Sequence, residues 1–196
     1  MSIRPSPDPD PAEQPGLLRH RWFVVIAVAG AILDAWTKSL AFAHHRWMHG
    51  ELGADQPLEL WRSDWATLSL VRETNSGMAF GLLQEHANAP AWLATARALA
   101  VTVLLFLAWR TPRGARLQHF GLGLLCGGTV GNLSDNLLQP DHAVRDFLLA
   151  TAFDWTLPAC NTADVLIVLG GAALAWLPIR HHRRRRGAAP NTHTRE

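Results

Sequence analysis

LQHFGLGLLCGGTVGNLSDNLL, residues 117–138, is too apolar for a loop and too polar at its end for a plain lipid-facing helix. Gly123, Gly127 and Gly131 recur every fourth residue, the small-xxx-small spacing that lets two membrane helices approach closely. A second stripe, Gly128, Asn132 and Asp135, follows i, i+4, i+7 and ends in a carboxylate. At about 1.5 Å per residue the segment spans a bilayer core. It therefore reads as a transmembrane helix carrying polar groups at one end.

Three further stretches qualify on the same grounds: residues 22–43, 89–109 and 163–179. Trp22, Trp92, Trp109 and Trp176 fall near their ends, where an amphipathic indole prefers the headgroup layer. The first could be a cleaved signal peptide, but three later spans need it as an oriented partner. Arginine orients the set. Arg19 and Arg21 precede the first span, Arg110, Arg113 and Arg116 crowd the second connection, and Arg180 and Arg183–Arg186 follow the fourth. By the positive-inside rule these places are cytoplasmic, and so are both termini. The final arginine run reads as a topology signal and anionic-lipid contact rather than a nucleic-acid footprint.

The chain has 196 residues, 18 Lys+Arg against 16 Asp+Glu, and 48% hydrophobic residues that are concentrated in the middle. Two cysteines, Cys126 and Cys160, exclude a disulfide-stapled secreted module. The expected organisation is a disordered cytoplasmic tail with five prolines (1–20), a four-helix membrane domain (21–179) and a basic cytoplasmic tail (180–196). Within the domain, 44–88 is expected as an outer β-rich insertion and 139–160 as an outer loop. Leu58–Trp61, Thr67–Val71 and a turn at Asn75–Gly77 predict a short meander on the membrane surface. The fold class is all-α polytopic membrane protein with a small extracytoplasmic β-sheet.

Charged groups inside a bilayer are costly and mark function, so their depth matters. Counted from the inner interface, Asp34 and Arg97 lie ~18 Å up, Asp164 ~22 Å and Asp135 ~27 Å. All fall in the outer half. Lys38 sits one turn beyond Asp34, as an ion-pair partner or as part of a site. Asn161 with Asp164 three later has the pattern of an N-cap with an acidic N3 residue. Asp146 lies in the outer loop between apolar flanks.

Two close carboxylates can share a proton, one activating a water while the other protonates a carbonyl. Asp135, Asp146 and Asp164 are all placed to contribute. Other hydrolytic chemistries fit less well: there is no His-Glu-x-x-His and no Gly-x-Ser-x-Gly, and His44, His45 and His49 make only a weak metal cluster. A small proton-coupled transporter using the buried acids is the alternative from another class, without the broken helices or paired repeats of such folds.

Five blocks taken in order resemble the lipoprotein signal peptidase (signal peptidase II) family. They are Asp34-Ala-Trp-Thr-Lys38, Asn75-Ser-Gly77-Met-Ala-Phe-Gly81, Gly127-Gly-Thr-Val-Gly-Asn132-Leu-Ser-Asp135, Val144-Arg-Asp146-Phe147 and Asn161-Thr-Ala-Asp164. The resemblance implies an aspartic endopeptidase of the bacterial inner membrane. Such an enzyme removes the signal peptide of prolipoproteins just before a diacylglyceryl-modified cysteine, without metal or other cofactor and without a nucleic-acid partner. It implies Asp146 and Asp164 as the catalytic pair and Asp34, Lys38, Asn75, Gly77, Asn132, Asp135 and Asn161 as supporting or substrate-binding residues. Asn136 stands where the family usually has arginine, the 135–146 stretch is somewhat longer, and Cys160 replaces a common phenylalanine. Loss of that rigid five-donor fork is expected to lower activity unless Arg97 or Arg145 replaces it, and an inactive lipoprotein-binding paralogue is the extreme case.

Overall fold

Long apolar runs become helices, and the computed structural model has four among the described residues: α1 (Arg21–Gly50), α2 (Ala89–Arg110), α3 (Arg116–Leu138) and α4 (Thr162–Gly187). Between them lie β1 (Leu58–Arg62), β2 (Ala66–Asn75), β3 (Val144–Ala152) and β4 (Trp155–Thr156). The structure describes residues 20–50, 57–76, 86, 88–153 and 155–187. The proline-rich stretch 1–19, Gly77 with the rest of its block, and residues 188–196 lie outside them, as do the side chains of His45, His49 and Arg183–Arg186.

Among the described residues two helices are long and apolar enough to cross a membrane, Arg21–His44 and Ala89–Arg110, and Thr162–Leu177 is a shorter apolar helix. The chain is arranged inside out relative to a water-soluble protein. Val25, Ile32, Leu99, Val103, Val168 and Leu169 are exposed, whereas Asp34, Lys38, Asn132, Asp135 and Asn136 are buried. The central helix is α3, which packs against α1, α2 and α4. Glycines make this possible. A Cβ on Gly127 would stand 2.8 Å from the carbonyl oxygen of Ala27, and one on Gly121 2.8 Å from Leu174 Cδ2. Phe23, Ala108, Leu122 and Cys126 form a buried cluster joining α1, α2 and α3.

The strands form one antiparallel sheet in the order β1-β2-β3-β4. Phe42 and Ala41 of α1 pack with Leu70 of β2 and Phe147 of β3, seating the sheet on the end of α1.

Three expectations need correction. Residues 44–50 continue α1 rather than opening the outer insertion, because no Gly or Pro interrupts the run before Gly50. Stretch 139–160 is not merely a loop, since it supplies β3 and β4, and Asp146 is a strand residue. The fourth helix does not stop at Ile179 but runs on to Gly187.

Candidate active site

Asp34, Lys38, Asn132 and Asp135 converge where α1 crosses α3. The ammonium of Lys38 has three donors and finds three acceptors: Asp34 Oδ2 at 2.7 Å, Asp135 Oδ2 at 2.9 Å and Asn132 Oδ1 at 2.8 Å. Gly131 admits this cluster, since a Cβ there would lie 2.4 Å from Asp34 Oδ2. The other oxygen of Asp34 accepts the backbone N–H of Ala163 at 2.8 Å, so α1 supplies a carboxylate to the positive end of α4. Thr37 and Thr162 add a hydroxyl contact of 2.7 Å beside it.

The start of α4 is also capped from within. Asp164 N–H donates to Asn161 Oδ1 at 3.1 Å, and Asn161 N–H donates back to Asp164 Oδ2 at 3.1 Å, the reciprocal box the sequence pattern predicts. Asn161 reaches Asp146 as well, its Nδ2 donating to Oδ1 at 2.5 Å. Backbone pairing holds the two residues together: Cys160 N–H donates to Leu148 O at 2.9 Å, and Cys160 O accepts from Phe147 and Leu148. Asn75, at the end of β2, donates to Asp146 Oδ2 at 3.4 Å.

Strand alternation divides β3 between two environments. Val144 and Asp146 line a cavity of about 320 Å³ together with Asn75, Arg97, Asn132, Asn161 and Asp164. Arg145 faces the other side, with Arg72 and Phe42, in a more open cavity of about 510 Å³. There Arg145 binds Asp135 through Nη2 at 2.7 Å and Nε at 3.1 Å, and through its backbone N–H at 3.1 Å. Asp135 is thus surrounded by donors from Lys38 and Arg145 and does not line the smaller cavity. Of the three aspartates left open by composition and spacing, Asp146 and Asp164 line this cavity and Asp135 does not.

These two differ in environment. Asp164 accepts Asn132 Nδ2 at 3.0 Å as well as the Asn161 N–H, and sits at a helix start. Asp146 is buried on β3, and burial first, then the neighbouring charge of Asp164, pushes its carboxyl up to about 6 despite the donors Asn161 and Asn75. Unequal environments of this kind separate a proton-holding carboxyl from an ionised one. Among the described residues no three His, Cys, Asp or Glu side chains converge to hold a metal.

A family model described as signal peptidase (SPase) II matches residues 26–180. This chain belongs to the signal peptidase II family. The lipoprotein signal peptidase of Azoarcus sp. (strain BH72) is 30% identical over 94% of this chain and 97% of its own length. That of Serratia proteamaculans (strain 568) is 31% identical over 80% and 84%. A solved structure described as a bacterial membrane enzyme, determined by the in meso method, superimposes with a TM-score of 0.63 at 18% identity, covering 89% of this chain and 93% of that one. That likeness shows a shared fold.

Against this frame, Asp34, Lys38, Asn75, Asn132, Asp135, Asn161, Asp146 and Asp164 form one connected network, and Gly77 lies outside the described residues. Gly128 is reassigned: its missing Cβ would stand 2.4 Å from Ala163 O, so it is a contact between α3 and α4 rather than a member of a polar stripe. The Ala163 N–H and the Cys160 backbone pairing escaped sequence reading, because main-chain groups leave no residue signature.

Proposed function

We propose that this signal peptidase II family member is an aspartic endopeptidase of the bacterial inner membrane. Its substrates are prolipoproteins, cut just before a diacylglyceryl-modified cysteine. The observation that carries the reading is the cavity that brings Asp146 and Asp164 together, with their shared ligand Asn161.

Asp164 begins ionised and Asp146 protonated. Asp164 takes a proton from water as the water oxygen bonds to the scissile carbonyl carbon, while Asp146 gives its proton to the carbonyl oxygen. On collapse, the leaving nitrogen takes the proton held by Asp164, Asp146 recovers one from a hydroxyl of the diol, and the C–N bond breaks. Both carboxyls return to their starting states.

All four helices cross the membrane in this reading, with both termini cytoplasmic. Support comes from arginines at one set of helix ends and from polar side chains turned inward while apolar ones face out. Val168 is 68% exposed on the outer face of α4 and also lines the cavity, so acyl chains can enter sideways from lipid.

The test is processing of a diacylated precursor by purified protein. Asp146→Asn and Asp164→Asn should each lower turnover by about 10²- to 10⁴-fold while the protein still inserts. The double variant should be no worse than either single one. Substantial processing by folded Asp146→Asn would overturn the assignment.

A further inference from the structure

Arg97 enters the same cavity from α2, a helix whose other charged residue is Arg110 at its end. Its Nη1 donates to Oδ1 of Asn136. That amide is itself clamped: Asn136 Nδ2 donates to His142 O at 2.6 Å, and His142 Nδ1–H donates to Asn136 O at 2.8 Å. His142 holds the turn in the left-handed region, at φ 54°. Asn136 can therefore present only its oxygen to the guanidinium.

A structural ion pair is the plain explanation for an arginine among carboxylates, and the geometry does not supply one. Among the described residues no carboxylate oxygen lies within 4.0 Å of Arg97, whereas Lys38 and Arg145 are both tied to aspartates. A guanidinium has five N–H donors, and the only hydrogen bond Arg97 makes among the described residues goes to a neutral amide. It shares the cavity with Asp146 and Asp164. A half-buried cation with unused donors beside two reacting carboxyls is poised for a ligand.

We infer that Arg97 is a substrate-binding residue, held by Asn136, whose free donors take a backbone carbonyl of the precursor beside the scissile bond. The inference rests on the Asp146–Asp164 reading. The ligand class is an extended peptide segment, which inside a low-dielectric cavity brings carbonyl oxygens that need donors. The other charged or titratable groups around the pair are Asp34 and Lys38 of α1, Glu73 of β2, Asp135 of α3, His142 before β3, Arg145 of β3 and Cys160 before α4. Of the cations among the described residues, only Arg97 lines the cavity.

The experiment compares full-length Arg97→Gln, Arg97→Lys and Asn136→Ala with the native protein on a diacylated precursor peptide, following KM and kcat. Arg97→Gln should raise KM roughly tenfold or more with kcat changed far less, since donors to the precursor are gone. Arg97→Lys keeps a donor but loses the planar fork, so it should raise KM by a smaller factor. Asn136→Ala should raise KM by unfixing the guanidinium. Removing a charge from a membrane helix eases insertion, so Arg97→Gln should fold, and the other two variants carry the same test if it does not. Native KM in folded Arg97→Gln, or a fall in kcat alone, would overturn the role. Asp164→Asn measured alongside separates the readings. Residual processing there defeats the aspartate pair itself, whereas a dead Asp164→Asn beside a normal Arg97→Gln defeats Arg97 alone.

Discussion

Lys38 Nζ lies 2.8 Å from Oδ1 of Asn132, and this contact fixes which end of the amide meets Asp164. With its oxygen held by an ammonium, Asn132 must turn Nδ2 towards Asp164 Oδ1, 3.0 Å away. The single lysine of the chain thereby orients a cavity amide without lining the cavity itself. Lys38→Met would leave Asp34 and Asp135 buried with one fewer cation, at a cost of about 3–5 kcal/mol. The expected outcome is a sharp loss of folded yield by size exclusion, partly restored by adding Asp34→Asn.

The pH dependence follows from Asp146. Its carboxyl, raised to about 6, must hold the proton, so kcat/KM should fall as pH rises beyond about 6. Asn75 donates to the ionised form, and Asn75→Leu should move that alkaline limb to higher pH. A raised folded-state pKa also means that ionised Asp146 opposes folding, a penalty growing from the unfolded carboxyl pKa of about 4 and complete above about 6. Asp146→Asn should accordingly gain thermal stability over native protein at pH 8 and little or none at pH 4.

Glycine substitutions should separate packing from helix propensity. Gly131→Ala and Gly128→Ala would place a methyl 2.4 Å from Asp34 Oδ2 and from Ala163 O respectively. Each should cost about 1–3 kcal/mol or prevent assembly. Nothing lies within 4 Å of a Cβ on Gly171, so Gly171→Ala should be neutral or stabilising in the same melting assay.

Asn136→Arg is expected to reduce turnover. Asn136 is buried, and both ends of its amide are engaged, by Arg97 and by His142. A second guanidinium there would displace the first and lose the His142 clamp. Turnover above native, measured on an ordinary precursor, would show that the site tolerates the exchange.

Orientation is testable by cysteine labelling of intact cells. Position 59 should react with an impermeant reagent, and positions 113 and 184 should not, given the arginine bias at the helix ends. Labelling of position 113 from outside would invert the model.

Much of this was legible in residue order. Hydropathy marks the four helices within a few residues at most ends, and the Asn161–Asp164 spacing announces a cap that the structure forms. Lys38 one turn after Asp34 reads as an ion pair and is one. The strand character of β3 was hidden because its apolar run, Phe147-Leu148-Leu149, breaks period-two alternation and its partner β2 lies some seventy residues earlier. Gly128 misled because one residue serves two helix-face patterns, and only the neighbour decides between them. Whether Arg97 or Arg145 shares a cavity with Asp146 and Asp164 depended on how α2 packs and on which face of β3 Arg145 takes, both tertiary facts.

The bond from Ala163 N–H to Asp34 Oδ1 joins the last helix made to the first. A ribosome delivers Asp34 well before Ala163, so a nascent chain that stops short of residue 163 lacks the donor that this carboxylate accepts. The contact can form only once the fourth helix has been made and has docked on the first.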